Sequence, residues 1–440
     1  MSSILTNTGA MVALQSLKSI NANLQKTQDE ISTGKSVANA KDNSAIWAIS
    51  KVMESDVQGF KAISSSLALG GSTVSVGRQA AETVTDLLTQ MKEKIVASQE
   101  ANVDRVKIQS DITALRDQIG SVVGAAQFNG LNLLSNDKST TAYTAAGRVD
   151  GSGIINILSS LDRSGGGVAA SDITVSKQDL STRVGTKGAL AIAATALTAA
   201  GTAGANGTGT ATFTVVGEVN AATGRTKAIM AGDSYAFQMT VFDNAANGSP
   251  FGALPAADVK REAMYVAKDG DTAADVARGM ADMMKFRLAE QGLEKDYTVT
   301  VANNVVSVVN NTATALAAAA ATNVDLDGGG RTSGGLQMLS EFSVLTEKGA
   351  SAALAGIESL IQTSVNSASA FGSTAGRIET QSKFVSGLTD ALKAGIGSLV
   401  DANMEEASAR LQALQVQQQL GVQALSIANQ APQTILSLFR

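Results

Sequence analysis

The chain has no cysteine and no histidine in 440 residues. Without cysteine there are no disulfides, no thiolate nucleophile and no thiolate metal site. Without histidine the commonest general base and metal ligand are gone, so Ser-His-Asp, Cys-His and HExxH chemistry are all excluded. Aromatics make up only 4%, and there are three prolines. The balance of 34 Lys+Arg against 39 Asp+Glu leaves a net charge of −5, so no basic field attracts nucleic acid or an anionic membrane. No apolar run approaches the ~20 residues of a membrane span. The first residues, MSSILTNTGAMVALQSLKSI, lack the basic region and dense apolar core of a usual secretory signal. Composition therefore predicts no cofactor, no metal, no nucleic-acid partner and no membrane insertion.

What the chain does have is apolar periodicity at both ends. Ala413, Val416, Leu420, Ala424, Ile427, Ala431, Ile435 and Leu438 recur at spacings of three and four, the period of one helix face. Leu411, Leu414, Leu425, Ala428 and Phe439 form a second row beside it, and Gln412, Gln415, Gln417, Gln418, Gln419 and Gln423 are expected to form the other, amide face. So wide an apolar surface, with almost no charge, is more than one partner helix covers. Near the N-terminus Ala10, Ala13, Leu17, Ile20, Leu24, Thr27 and Ile31 alternate spacings of three and four as a heptad seam, ending at Gly34, a left-handed cap. The two ends match in character, and the spacing predicts that they pair with each other.

A second helix is predicted from Asp42, with Asp42 or Ser44 as its cap and Ile46, Ile49, Met53, Val57, Phe60 and Ile63 on its buried face. Its pattern continues after Gly70-Gly71 through Val84, Leu88, Met91 and Ile95. A third helix carries Ile108, Ile112, Leu115, Ile119, Val122 and Ala126, and Asn129-Gly130 ends it in a turn. From about Asp137 the composition shifts to Gly, Ala, Ser and Thr. Strands are predicted around Phe213, Val215 and Val219, along Tyr235, Phe237, Met239 and Val241, and at 264–266; a helix spans 271–294; a hairpin turns at Asn303-Asn304. Helical spacing returns near Lys348 through Leu354, Ile357, Ile361, Val365 and Ala368, and after Gly372 through Ile378, Val385, Leu388, Leu392, Ile396 and Leu399. The expected architecture is mainly α with an α+β insertion. The chain is hairpin-like: terminal helices 1–41 and 397–440 pair as a coiled coil, segments 42–136 and 346–396 form a long-helix bundle, and 137–345 is a variable outer domain.

Three short patterns carry weaker chemistry. STGKS at 32–36 has the tail of a phosphate-binding loop, but Asp29 stands where the motif needs Gly and a helix precedes it. NVDLDG at 323–328 begins like a calcium loop, yet its twelfth position is Gly334 instead of Glu. Asn206, Asn247 and Asn310 open glycosylation sequons. Trp47, the only tryptophan, reads as a packing residue.

The chain resembles bacterial flagellin. The resemblance runs through Leu17, Asn21, Leu24, ISTGK, VANAKDNSAIWAIS and QFNGLNLLS at the N-terminus, and LVDANMEEASARLQALQVQQQLGVQALSIANQAPQTILSLFR at the C-terminus. It covers about half the chain, is similar to alphaproteobacterial flagellins, and leaves the middle unmatched. It implies a non-enzymatic subunit of the extracellular flagellar filament, exported unfolded by the flagellar type III channel and folding as it adds at the tip. Its implied partners are copies of itself, with or without sibling flagellins, the cap and hook–filament junction proteins, and an export chaperone. The alternative within the same family is a hook–filament junction protein; a chemoreceptor-like helical hairpin fits poorly because of the β insertion. Metal-protease insertions of the family are excluded by the missing histidine. For subunit packing the residues singled out are Leu17, Leu24, Ile31, Leu414, Leu420, Ile427 and Leu438. In the stretch LLTQMKEKIVASQ at 87–99, Gln90 and Lys94 stand where many flagellins carry the Arg and Leu that innate immune receptors contact. The resemblance thereby implies weak receptor activation.

Overall fold

In the computed structural model the described residues are 7–136, 143–144, 147–148, 153–162, 169–185, 190–192, 197–200, 210–215, 229, 234–243, 248, 250–255, 258–268, 271–312, 322–327 and 333–438. Helix α1 (Thr8–Thr33) is capped by Asn7, whose side chain accepts the Ala10 N–H, and stops at Gly34, where φ is 67°. Helix α2 (Ser44–Ala97) follows, then α3 (Arg105–Ala125) with an Asp104 cap. The cap of α2 is Asn43, whose Oδ1 accepts from the N–H groups of Ala45 and Ile46 at 3.2 Å. Asp42, expected as a cap, instead binds the N–H groups of Ala38 and Asn39 and closes the preceding turn.

Short strands β1 (Gln127–Phe128) and β2 (Leu131–Asn132) pair around Asn129-Gly130, both at positive φ, which confirms the predicted turn. Then come β3 (Tyr143–Thr144), β4 (Gly147–Arg148), β5 (Ile154–Asp162), β6 (Ala169–Ser176), β7 (Leu190–Ile192), β8 (Leu197–Ala200), β9 (Thr210–Val215), β10 (Ser234–Gln238), β11 (Glu262–Val266), α4 (Ala273–Gln291), β12 (Tyr297–Ala302), β13 (Val305–Asn310) and β14 (Thr322–Asp327). The chain closes with α5 (Glu347–Val400) and α6 (Met404–Leu438). The protein is thus mainly helical with a sheet-containing insertion, as the spacing predicts.

The chain divides into two compact units. One holds 66–159 and 171–380. Its helical part buries Leu67, Val74, Val84, Leu88, Met91 and Ile95 of α2 against α3 residues Ile112, Ile119 and Val123 and α5 residues Ile357, Leu360, Phe371 and Ile378. Helix α2 runs unbroken through Gly70-Gly71, although each glycine costs ~1 kcal/mol against alanine in a helix. Close approach explains Gly70: a Cβ there would overlap the Ile157 side chain of β5. Ser364 on α5 donates to the Ala81 carbonyl at 3.1 Å and accepts from Thr85 Oγ1, so this buried hydroxyl is paired.

In the insertion two antiparallel four-stranded sheets, in the orders β11-β10-β14-β7 and β12-β13-β9-β8, pack with α4. Thr272 and Asp275 form a reciprocal capping box at its start. Aromatics gather here: Phe213, Phe237, Phe242 and Tyr297 meet in edge-on and tilted pairs with ring centroids 4.5, 5.9 and 4.8 Å apart. The predicted strand at 235–241 ends earlier, at Gln238, and Met239–Phe242 is a 3₁₀ turn. It is also buried on both faces instead of one. Val219 lies outside the described residues. Residues 323–327 form part of β14, with Asn323 opposite Ala236 and Asp325 opposite Ser234. That extended pairing is unlike the wound loop calcium requires, and Gly328 lies outside the described residues. Among the described residues no group of three or more acidic side chains could hold a metal. Asn206 and Asn247 fall outside the described residues, while Asn310 is buried and its Oδ1 accepts from Thr312.

Candidate self-assembly surface

The second unit comprises Met1–Ser65, Ser160–Ala170 and Gln381–Arg440. The two chain ends meet in it as an antiparallel helix pair, α1 along α6. At one end Lys35 bridges Asp401, the Ser36 N–H donates to the Val400 carbonyl at 2.7 Å, and the Ala402 N–H donates to the Gly34 carbonyl at 3.0 Å. STGKS is therefore a helix stop joined to the opposite chain end. Towards the other end Asn7 Nδ2 donates to the Ala428 carbonyl at 2.8 Å, and between them Gln418 Nε2 donates to Asn21 Oδ1 at 2.8 Å. Asn403 caps α6, and Glu405 and Glu406 in its first turn suit the positive end of the helix dipole.

Facing α6, the α1 seam is the predicted one: Ala10, Ala13, Leu17, Ile20, Leu24, Thr27 and Ile31 are each half-buried or buried. Thr27, the most enclosed, spends its hydroxyl on the Asn23 carbonyl. The α6 seam differs from the first row read in the sequence. Its covered positions are Ala407, Leu411, Leu414, Gln418, Gly421, Leu425 and Ala428, again at alternating spacings of four and three. Gly421 lets the helices close: a Cβ there would sit 3.3 Å from Leu17 Cδ1. Gln418, Gly421, Asn7 and Ala407 were not among the residues singled out. A polar amide and a glycine break the apolar signal that would have marked this row.

The described side chains of the first row, Ala413 to Ile427, point away. Leu420 is 58% exposed and Ile427 69%, with Val416 and Val422 beside them; Met11, Val12 and Leu14 are exposed on α1. Of the singled-out residues, Leu17, Leu24, Ile31 and Leu414 line the intrachain seam, whereas Leu420 and Ile427 face outward. The side chain of Leu438, at the end of α6, lies outside the described residues. Ile49 and Val52 of α2 and Phe384 of α5 add further bare apolar surface to the same unit. Lys51 donates to Glu54 at 2.7 Å and holds that carboxyl below its ordinary range.

Gln90 and Lys94 are both exposed on α2, and Lys94 Nζ donates to Asp111 of α3 at 2.9 Å, which raises the lysine pKa.

The two terminal helices pair with each other and leave an apolar row bare. Residues 4–139 match the family profile of the bacterial flagellin N-terminal helical region, and 354–439 that of the C-terminal helical region. Flagellin A of Rhizobium meliloti is 33% identical over 100% of both chains, and flagellin FljK of Caulobacter vibrioides is 28% identical over 100% of this chain and 99% of that one. Among solved structures, flagellar hook associated protein-3 of Legionella pneumophila aligns over 79% of this chain and 98% of that one at 12% identity, with a TM-score of 0.34. FliC of Burkholderia pseudomallei aligns over 70% of this chain and 99% of that one at 13% identity, with a TM-score of 0.29. The chain belongs to the bacterial flagellin family, of alphaproteobacterial type. It is a structural motility protein of the extracellular flagellar filament, not an enzyme.

Proposed function

We propose that this chain polymerises as the repeating subunit of its filament, and that its terminal helices become ordered only as neighbouring copies cover them. The supporting observation is the outward row of Val416, Leu420 and Ile427, left bare once the α1–α6 seam is closed. Contiguous exposed apolar surface marks an interaction site, and coupling order to assembly spends the ordering entropy where contacts repay it. Head-to-tail contacts of this type do not close, so a helical polymer results. In this reading segments 1–41 and 397–440 form the inner tube, 42–136 and 346–396 the tube around it, and 137–345 the outer surface. The chain leaves the cell unfolded through the flagellar export channel, accompanied by a chaperone, and adds beneath the cap. Absence of cysteine keeps such a chain free of cross-links in a narrow bore.

Leu420→Asp places a charge on the outward row without touching the seam. Seeded with filament fragments, the variant is expected to form no filament while its insertion keeps its near-ultraviolet circular dichroism. Filaments of normal length from this variant would sink the proposal. The same assay separates a filament subunit, which extends seeds indefinitely, from a junction protein, which adds a few copies and stops. For the receptor, Gln90 lacks the forked charge of Arg, and Lys94 is engaged with Asp111. Purified protein is expected to activate an innate-receptor reporter weakly; activation equal to that of an enteric flagellin contradicts this.

A further inference from the structure

In a chain without cysteine or histidine, methionine sulfur is the group most readily oxidised. Its distribution is uneven. Met91, Met239, Met280, Met283, Met284 and Met338 are buried, and Met53 and Met264 are half-buried. Among the described residues only Met11, at 65%, and Met404, at 44%, are exposed. Both lie on the terminal helix pair. Met11 sits with Val12 and Leu14 in an apolar patch on the early turns of α1; Met404 opens α6 three residues beyond the Lys35–Asp401 bridge.

We propose that Met11 and Met404 are oxidative modification sites, and that their sulfoxides prevent the subunit from joining a filament. The inference rests on the reading of α1 and α6 as the assembly surface. A hydroperoxide is the oxidant. The thioether sulfur attacks its terminal oxygen, an S–O bond forms as the O–O bond breaks, the sulfur loses two electrons, and the peroxide leaves as water or an alcohol. No proton is lost from the protein. The product replaces a flexible apolar group with a polar, chiral one. Covering it with a neighbour's apolar surface then strips a strong acceptor of water without return. The six buried methionines are shielded by their own packing, so damage falls first on assembly and leaves the insertion intact.

The test treats full-length monomer with hydrogen peroxide, maps sulfoxides by peptide mass spectrometry and measures the critical concentration for seeded growth. Met11 and Met404 are expected to oxidise at least about tenfold faster than the six buried methionines, and the critical concentration to rise about 5- to 100-fold, the range for burying one or two unpaired polar groups. The double variant Met11→Leu with Met404→Leu keeps shape and apolarity and should assemble after the same treatment; Met11→Gln with Met404→Gln should assemble poorly with no peroxide. Oxidation spread evenly over all methionines overturns the inference, as does loss of growth in the treated leucine variant equal to that of the wild type. Failure of untreated wild type to extend seeds counts against the assembly reading itself, and the sulfoxide map still decides whether the two sites are selective.

Discussion

Arg287 carries the most deeply buried charge among the described residues of the insertion, 3% exposed on α4. Its guanidinium meets Glu290 at 2.9 Å and Glu341 at 2.5 Å, donates to the Glu262 carbonyl at 3.4 Å and lies over the Phe286 ring. Removing one member of such a group strands the others, so Arg287→Ala is expected to lower stability by about 3–5 kcal/mol. All four tyrosines lie between 143 and 297, so their near-ultraviolet dichroism reports this region in a denaturant titration. Asp282, on the same helix, works in the opposite direction. Burial raises its pKa above the ordinary 3.8, opposed by Lys285 and by a hydrogen bond from Ser359. A raised carboxyl contributes stability that is complete below the unfolded value and lost as pH rises through the folded one. At pH 7 the charged form is therefore a cost, and Asp282→Asn is expected to stabilise by about 0.5–2 kcal/mol. The gain should shrink as pH falls towards 3.8; a variant equally stabilised at both ends of that range contradicts the assignment.

At the scale of elements, the two terminal helices were unequally legible. The α1 seam was readable because seven positions alternate by three and four with no strong polar interruption. On α6 the covered row contains Gln418 and Gly421, so the more apolar row of Val416, Leu420 and Ile427 dominated the pattern although it faces outward. A helix with two apolar rows does not announce which one its own chain will take. The glycines of α2 and α5 were no obstacle to the reading: the apolar pattern carries on past Gly70 and Gly372, and both helices run unbroken through them, with the close approach of Ile157 accounting for Gly70. Strand β10 and the acid-rich β14 show the converse, where burial of both faces of the one and sheet pairing of the other decided what alternation and composition could not. These readings make Gly421 a sharp probe. Gly421→Leu would push against Leu17 and is expected to cost the pair about 1–3 kcal/mol by overpacking. Calorimetry of filaments should show an earlier melt of the terminal helices with the insertion's transition unmoved; an unchanged filament melt would show that the helices do not need this close approach.

For the whole molecule, family membership and structure bear on different questions. The two terminal profiles cover 4–139 and 354–439, so they speak for the helical segments, while full-length identity of 33% to a flagellin extends the relationship across the insertion. The structure adds a division within the ends: one set of side chains closes the chain on itself, and another, with Val416, Leu420 and Ile427, is left exposed. The insertion, with its aromatic cluster and capped helix, has the buried core to fold independently of assembly. The most direct measurement is amide hydrogen exchange on dilute monomer and on seeded filament, followed peptide by peptide. Peptides from 8–33 and 404–438 should exchange fully within seconds in the monomer and become slow in the filament, while 273–291 and 297–310 stay protected in both. Slow exchange of both chain ends in the dilute monomer would contradict assembly-coupled folding.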